Sequence, residues 1–301
     1  MDTLSPDMAT CYRHPNRETG VSCSNCGRPI CPDCMTSTRV GMRCPECAKQ
    51  RTKVVNMRSI STVPQVTYAL IAINVIVFLA EGTGVFTLEG ESTSSLIQKG
   101  GVLGSSPARG LAGEGVAHGQ IYRIVTGGFL HENLLHIGFN MWVLYYLGMM
   151  LEPAIGRVRL LVVYGVSLLA GSLGALLVSP HSVTVGASGA IFGLMGAAAV
   201  EMRARQIPIM QSGVGGLILI NLIISFTIPG ISWGGHIGGL IGGAVAMLIF
   251  RVADRQRVPA LAYAACAVIA VGSVAGSVAT SHSTEVETVS FNPVQLESEG
   301  R

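Results

Sequence analysis

The stretch Gly186-Ala187-Ser188-Gly189-Ala190-Ile191-Phe192-Gly193-Leu194-Met195-Gly196-Ala197-Ala198-Ala199 decides the architecture of this chain. It is apolar, yet small residues recur at every turn. A lipid-facing helix gains nothing from so many glycines. A helix wrapped by others does, because close packing replaces what helix propensity loses. The stretch is therefore read as part of a short span over 187–202, buried at the centre of a bundle.

Six further stretches reach or approach the roughly 20 residues a bilayer helix needs. They run over 66–80, 134–151, 158–178, 209–227, 233–250 and 260–279. Composition agrees with seven spans. Charged residues make up 12% of the 301 and hydrophobic ones 49%, with a mean hydropathy of +0.51. A soluble domain carries about 25% charged residues. The net charge of +3 gives no reason to expect nucleic acid.

Basic residues orient the spans. Arg157 and Arg159, Arg203 and Arg205, and Arg251, Arg255 and Arg257 fall in alternate loops. Those loops and the N-terminus are expected in the cytoplasm. The 81–119 segment and the acidic tail over 280–301, with Glu285, Glu287, Glu297 and Glu299, are expected outside. The 81–119 segment is glycine-rich and long enough to hold a small re-entrant or interfacial structure. The expectation is a multi-pass protein of the cell membrane, N-terminus cytoplasmic and C-terminus external.

Residues 1–50 have a different chemistry and hold seven of the eight cysteines. Nothing in Met1 to Thr10 reads as a signal peptide, so metal binding is favoured over disulfides. Four pairs have two intervening residues: Cys11 and His14, Cys23 and Cys26, Cys31 and Cys34, Cys44 and Cys47. A tetrahedral zinc takes two such pairs, so the eight ligands imply two structural zinc ions. Spacing leaves open whether sequential or alternate pairs combine; alternate pairs would cross-brace the fold. The arrangement resembles a B-box-type zinc finger, which implies a module that binds a cytosolic partner. A basic linker over 51–65 follows, with Arg51, Lys53 and Arg58 suited to an anionic leaflet.

Polar groups inside spans are costly and mark function. His136 and Asn140 in the second span, Ser188 in the fourth and His236 in the sixth all fall early in spans of the same direction. They therefore share one depth. His136 and Asn140, four apart, share a helix face. Gly186 and Gly189 flank Ser188 and let another chain approach its hydroxyl. Gly235, Gly239 and Gly243 make a small stripe that lets the sixth span press on the fourth, with His236 opposite Ser188. His131 is placed at the interface, either as a supporting residue of the site or without a role in it. His118, His181 and His282 are placed on solvated surface. Tyr122-Arg123 is either an interfacial anchor or a brace for the long loop.

Over about residues 60–250 this pattern closely resembles the rhomboid intramembrane serine proteases. The family's GxSG motif falls on Gly186 to Gly189, its His-x-x-x-Asn motif on His136 and Asn140, and its last motif on His236, Gly239 and Gly243. Tyr122-Arg123 matches the aromatic-Arg motif of the first external loop. Phe192 stands where the family often has Tyr, and Gly235 where it often has Ala. The resemblance implies a polytopic all-α membrane protein: a six-helix core over 66–250, a seventh helix over 260–279 and the N-terminal zinc-binding domain. It implies Ser188 as nucleophile and His236 as general base and acid, with no catalytic cofactor. His136, Asn140 and the Ser188 backbone N–H would hold the oxyanion, with Phe192, Gly186, Gly189 and Gly239 in support. No Asp or Glu adjoins His236, so a Ser-His dyad is expected. Substrates would be single-span membrane proteins entering laterally from the lipid bilayer past the fifth span. A transporter-like protein or a non-catalytic membrane-protein binding module are the competing classes.

Overall fold

Why does a carboxylate, Glu152, lie buried near the end of an apolar helix? Its oxygens accept from Val66 N–H (3.0 Å), Thr67 N–H (2.8 Å) and the Thr67 hydroxyl (2.7 Å). These amides belong to the first turn of another helix, which has no carbonyls of its own to bond and a partial positive charge. That cap ties α2 (Gln65–Ala80) to α5 (Leu134–Ile155). The computed structural model describes residues 9–38, 41–49, 63–82, 94–106, 111 and 113–290, with side chains as far as 284. Most of the linker expected over 51–65, and the end of the tail expected over 280–301, lie outside these residues.

Contacts divide the chain into Met1–Ile60 and Ser61–Arg301. In the first unit, β1 (Thr10–Cys11) pairs antiparallel with β2 (His14–Glu18), and β3 (Thr36–Thr38) with β4 (Gly41–Arg43), before the short helix α1 (Pro45–Lys49).

Among the described residues, the regular structure of the second unit is helical apart from one isolated bridge, Val102 with Thr184. Between α2 and α5 lie α3 (Ser95–Gly100) and α4 (Arg123–Thr126). After α5 come α6 (Arg157–Val178), α7 (Ser188–Ala204), α8 (Val214–Thr227), α9 (Trp233–Gln256) and α10 (Pro259–Ser290). Helices α5, α6, α9 and Pro259–Thr284 of α10 are long and apolar enough to cross a membrane; α2 and α8 are apolar but shorter. This is a multi-pass α-helical membrane protein. Helix α7 is buried without a break from Ala190 to Ala198, as its small-residue sequence requires.

Helix α9 lies against both α6 and α7. A Cβ on Gly239 would overlap the Gly189 carbonyl, and one on Gly243 the Gly193 carbonyl. Main chain therefore meets main chain between α7 and α9. At the other end of these helices Arg159 grips Asp254 with two bonds (2.7 and 2.6 Å), and buried Glu201 meets Arg205 (2.6 Å) and Arg251 (2.9 Å).

Helix bounds differ from expectation in three ways. Helix α10 runs to Ser290, past the expected end at 279 and into the stretch read as a tail over 280–301. The fifth helix begins at Val214, not near 209, because Pro208 and a left-handed Gly213 (φ +82°) precede it. Helices α5 and α9 run on to Ile155 and Gln256. The added turns hold Glu152, which takes the α2 amides, and Asp254, which takes Arg159.

The described parts of 81–119 are anchored by Arg123. This wholly buried guanidinium pairs with Glu114 and donates to the carbonyls of Gln98 (2.7 Å) and Gly101 (3.0 Å) and to Gln120 Oε1 (2.6 Å). Arg123 is thus a brace. His181, expected on solvated surface, is exposed, with Nδ1 donating to the Ser105 carbonyl (2.9 Å).

Candidate active site and metal centres

Three helix starts converge. The Asn133 side chain caps α5 by accepting from His136 N–H (2.9 Å), which places His136 in the first turn. Ser232 caps α9 by accepting from Gly235 N–H (3.3 Å), and His236 follows directly. Helix α7 opens on Ser188 itself. Its N–H lies in a first turn, where amides lack intrahelical acceptors and the helix dipole favours an anion.

Ser188 Oγ lies 2.7 Å from His236 Nε2. The His236 ring stacks on Phe192, with centroids 4.1 Å apart and planes 12° from parallel. Its other nitrogen, Nδ1, lies 2.6 Å from Ser225 Oγ on α8. Sequence reasoning missed Ser225.

Gly186 precedes the serine at φ +119°, a conformation that favours glycine. A Cβ there would sit 2.6 Å from His136 Nε2 and 3.6 Å from Ser188 Oγ. The space between those two groups is left open for one atom. Asn140, one turn beyond His136 and 5% exposed, has an Nδ2 with no partner among the described residues. A cavity of about 30 Å³, lined by Gly186, Ser188, Ser232 and His236 among others, adjoins the serine. That is room for about one water molecule.

His131 is wholly buried within the protein. Its N–H donates to Glu81 Oε1 (3.1 Å), its Nε2 accepts from Ala187 N–H (3.5 Å), and its ring meets His136 edge-on at 5.1 Å. It thus supports both the turn that carries the serine and the His136 ring.

A rhomboid domain family model matches residues 118–253. The putative rhomboid protease YdcA of Bacillus subtilis is 35% identical over 133 residues, which are 43% of this chain and 67% of that protein. The chain belongs to the rhomboid family. The rhomboid protease GluP of the same organism is 33% identical over 187 residues, 61% of this chain and 34% of GluP. RHOMBOID-like protein 7 of Arabidopsis thaliana is 35% identical over 129 residues, 41% of each chain. This rhomboid chain thus spans well under half the length of these last two. The match holds His131, His136, Asn140, Ser188, Ser225 and His236.

Residues 1–60 lie outside the rhomboid match. Here alternate pairs come together: Cys11, His14, Cys31 and Cys34 form one cluster, and Cys23, Cys26, Cys44 and Cys47 the other. Within each, the ligand atoms lie within 4.8 Å of one another. His14 Nδ1 is 3.3 Å from Cys31 Sγ and 3.4 Å from Cys34 Sγ. In the second cluster Cys44 N–H donates to Cys23 Sγ (3.3 Å), which holds that thiol below its ordinary pKa. Asn25 Nδ2 donates to Cys47 Sγ (3.3 Å). Three thiols with an imidazole in the first cluster and four thiols in the second, each around one point, fit a metal ion at each cluster.

Proposed function

We propose that this rhomboid protein is a serine endopeptidase that cuts single-span membrane proteins within the membrane. The observation that carries the proposal is the 2.7 Å contact between Ser188 Oγ, at the start of a buried helix, and His236 Nε2. A serine hydroxyl is a weak nucleophile until a base takes its proton. His236 Nε2 is placed to do so as Oγ attacks the scissile carbonyl. The new oxyanion falls in the open space beside Gly186, within reach of His136 Nε2–H, Asn140 Nδ2 and Ser188 N–H. His236 then protonates the leaving amine. Water attacks the acyl-enzyme with His236 again as base.

A cleft of about 330 Å³ lies between α5 and α8, lined by Trp142, Tyr146, Gly213, Gly216, Leu217 and Ile220. It supports lateral entry of a substrate helix past α8. A helix hides its peptide bonds, so substrates with glycine or other poor helix formers near the cut are favoured. The alternation of basic loops supports an N-terminus in the cytoplasm and a C-terminus outside, with Ser188 toward the external face. The two N-terminal clusters hold zinc in a cross-braced module that docks a cytosolic protein.

The test is covalent labelling in mild detergent with a fluorophosphonate. The wild-type chain is expected to be labelled at Ser188, and Ser188→Ala and His236→Ala to remain unlabelled. A folded wild type that neither takes the label nor cuts a transmembrane test substrate would end the protease assignment.

Gly186→Ala probes the oxyanion space separately. The added methyl is expected to fill it and lower kcat about 100-fold, with some loss of thermal stability from the strained φ. Full turnover by a folded Gly186→Ala protein would deprive that space of a catalytic role.

A further inference from the structure

We infer that Ser225 is a positioning residue that fixes the proton of His236 on Nδ1, so that Nε2 faces Ser188 bare. The inference rests on the serine-protease assignment above and adds to its dyad a third member on a different helix.

A neutral imidazole carries one proton. For Nε2 to accept from Ser188, that proton must sit on Nδ1, and Nδ1–H then needs a buried acceptor. Ser225 Oγ is 2.6 Å from Nδ1 and also 2.6 Å from the Asn221 carbonyl oxygen, one turn back on α8. A carbonyl can only accept. The single Ser225 proton therefore goes to Asn221, and a lone pair of Oγ is left for Nδ1–H. Directionality runs from His236 Nδ1–H to Ser225 Oγ–H to the Asn221 carbonyl.

Burial strengthens the assignment. Ser225 is 3% exposed, so little water competes for Nδ1. No carboxylate is recorded at Nδ1 among the described residues. The other groups around the ring are Ser188 and Phe192 of α7 and Ser232 of α9's own cap, with His136 on α5 the nearby titratable side chain. None of these is recorded as an acceptor for Nδ1.

A serine inside an apolar helix commonly bonds its own i−4 carbonyl and does nothing else. Ser273, Ser277 and Ser281 of α10 make that bond. Ser225 makes it too, but it alone among these also meets an imidazole nitrogen. The back-bond is what orients its lone pair. When His236 takes the serine proton, both nitrogens carry hydrogen, and the Nδ1–H bond to Ser225 becomes charge-assisted and stronger. The contact therefore favours the transition state over the ground state.

Ser225→Thr keeps the hydroxyl, and Ser225→Val has nearly the same shape without it. The full chain is labelled with ¹⁵N-histidine, and His236→Gln assigns the His236 ring. The wild-type ring is expected to be protonated at Nδ1 and bare at Nε2. Ser225→Val is expected to show a tautomer mixture and about tenfold slower fluorophosphonate labelling of Ser188. Its unfolding midpoint should match that of Ser225→Thr, which recovers most of the rate. A wild-type ring protonated at Nε2 would overturn the inference. So would equal labelling rates for Val and Thr in equally folded proteins. Should the Val variant fail to fold, the wild-type ring alone decides. Should the wild type show the Nδ1 tautomer yet neither take the label nor cut a transmembrane test substrate, the positioning bond stands and the protease assignment falls.

Discussion

His236→Ala is expected to lower kcat/KM for a transmembrane substrate by about 10⁴-fold or more, with the helical fold retained. Loss of the base in serine hydrolases costs this much because nucleophile and base act as a unit. For the same reason Ser188→Ala should be no worse in combination with His236→Ala than alone. The structural cost should be modest. His236 is held by one face on Phe192 and by two hydroxyls, while the α7–α9 contact around it is made by glycines. Proteoliposomes containing a single-span test substrate give the rate, and circular dichroism gives the fold. Asn140→Ala should be milder, because His136 and the Ser188 N–H remain. A folded His236→Ala protein with turnover within tenfold of wild type would exclude the Ser188–His236 mechanism.

Metal removal is expected to unfold residues 9–49 while residues 63–290 stay folded. The buried cluster of the first unit consists of Cys11, Cys23, Cys31, Cys34, Cys44 and Cys47 with a single aliphatic residue, Ile30. Its strands are two to five residues long. So small a core cannot offset chain entropy. Structural zinc supplies about 10–16 kcal/mol in comparable small modules, more than such a domain could hold without it. The ligand order is interleaved, so either ion alone leaves half the loops unpinned. In the full chain, a strong chelator should release two zinc ions and expose 9–49 to limited proteolysis, with the helical unit uncut. Release of both ions without new cleavage in 9–49 would contradict this account.

Much of this was legible before any coordinates. Apolar runs mark a multi-pass helical protein, because a bilayer segment must satisfy its backbone internally and carry few charges, and four of the helices are long and apolar enough to cross a membrane. The early position of His136, Ser188 and His236 in same-direction spans foretold that they would meet. Ser225 was not legible. Its sequence context is that of an ordinary back-bonding serine, and its second partner lies across a helix contact that no periodicity encodes. His131 was legible only as a choice between a supporting residue and a bystander, since its contacts with Glu81 and Ala187 join segments far apart in sequence. The combination of alternate cysteine pairs was also closed to sequence, since two-residue spacing defines which side chains share an ion but not which pairs do.

The glycine contact between α7 and α9 bears on how the protein answers its surroundings. Backbone atoms have no rotamers to exchange. Where Gly189 meets Gly239 and Gly193 meets Gly243, there is little slack to squeeze or release. The span from Ser188 to His236 is therefore set by main-chain contact, like a gauge block. Helix α8 is mounted differently, with an open cleft on its α5 side and Ser225 on the ring. A lipid that displaces α8 would leave the reach of the nucleophile unchanged and alter which nitrogen of the base holds the proton. Such a protein would be tuned by its membrane through tautomer population, not through distance.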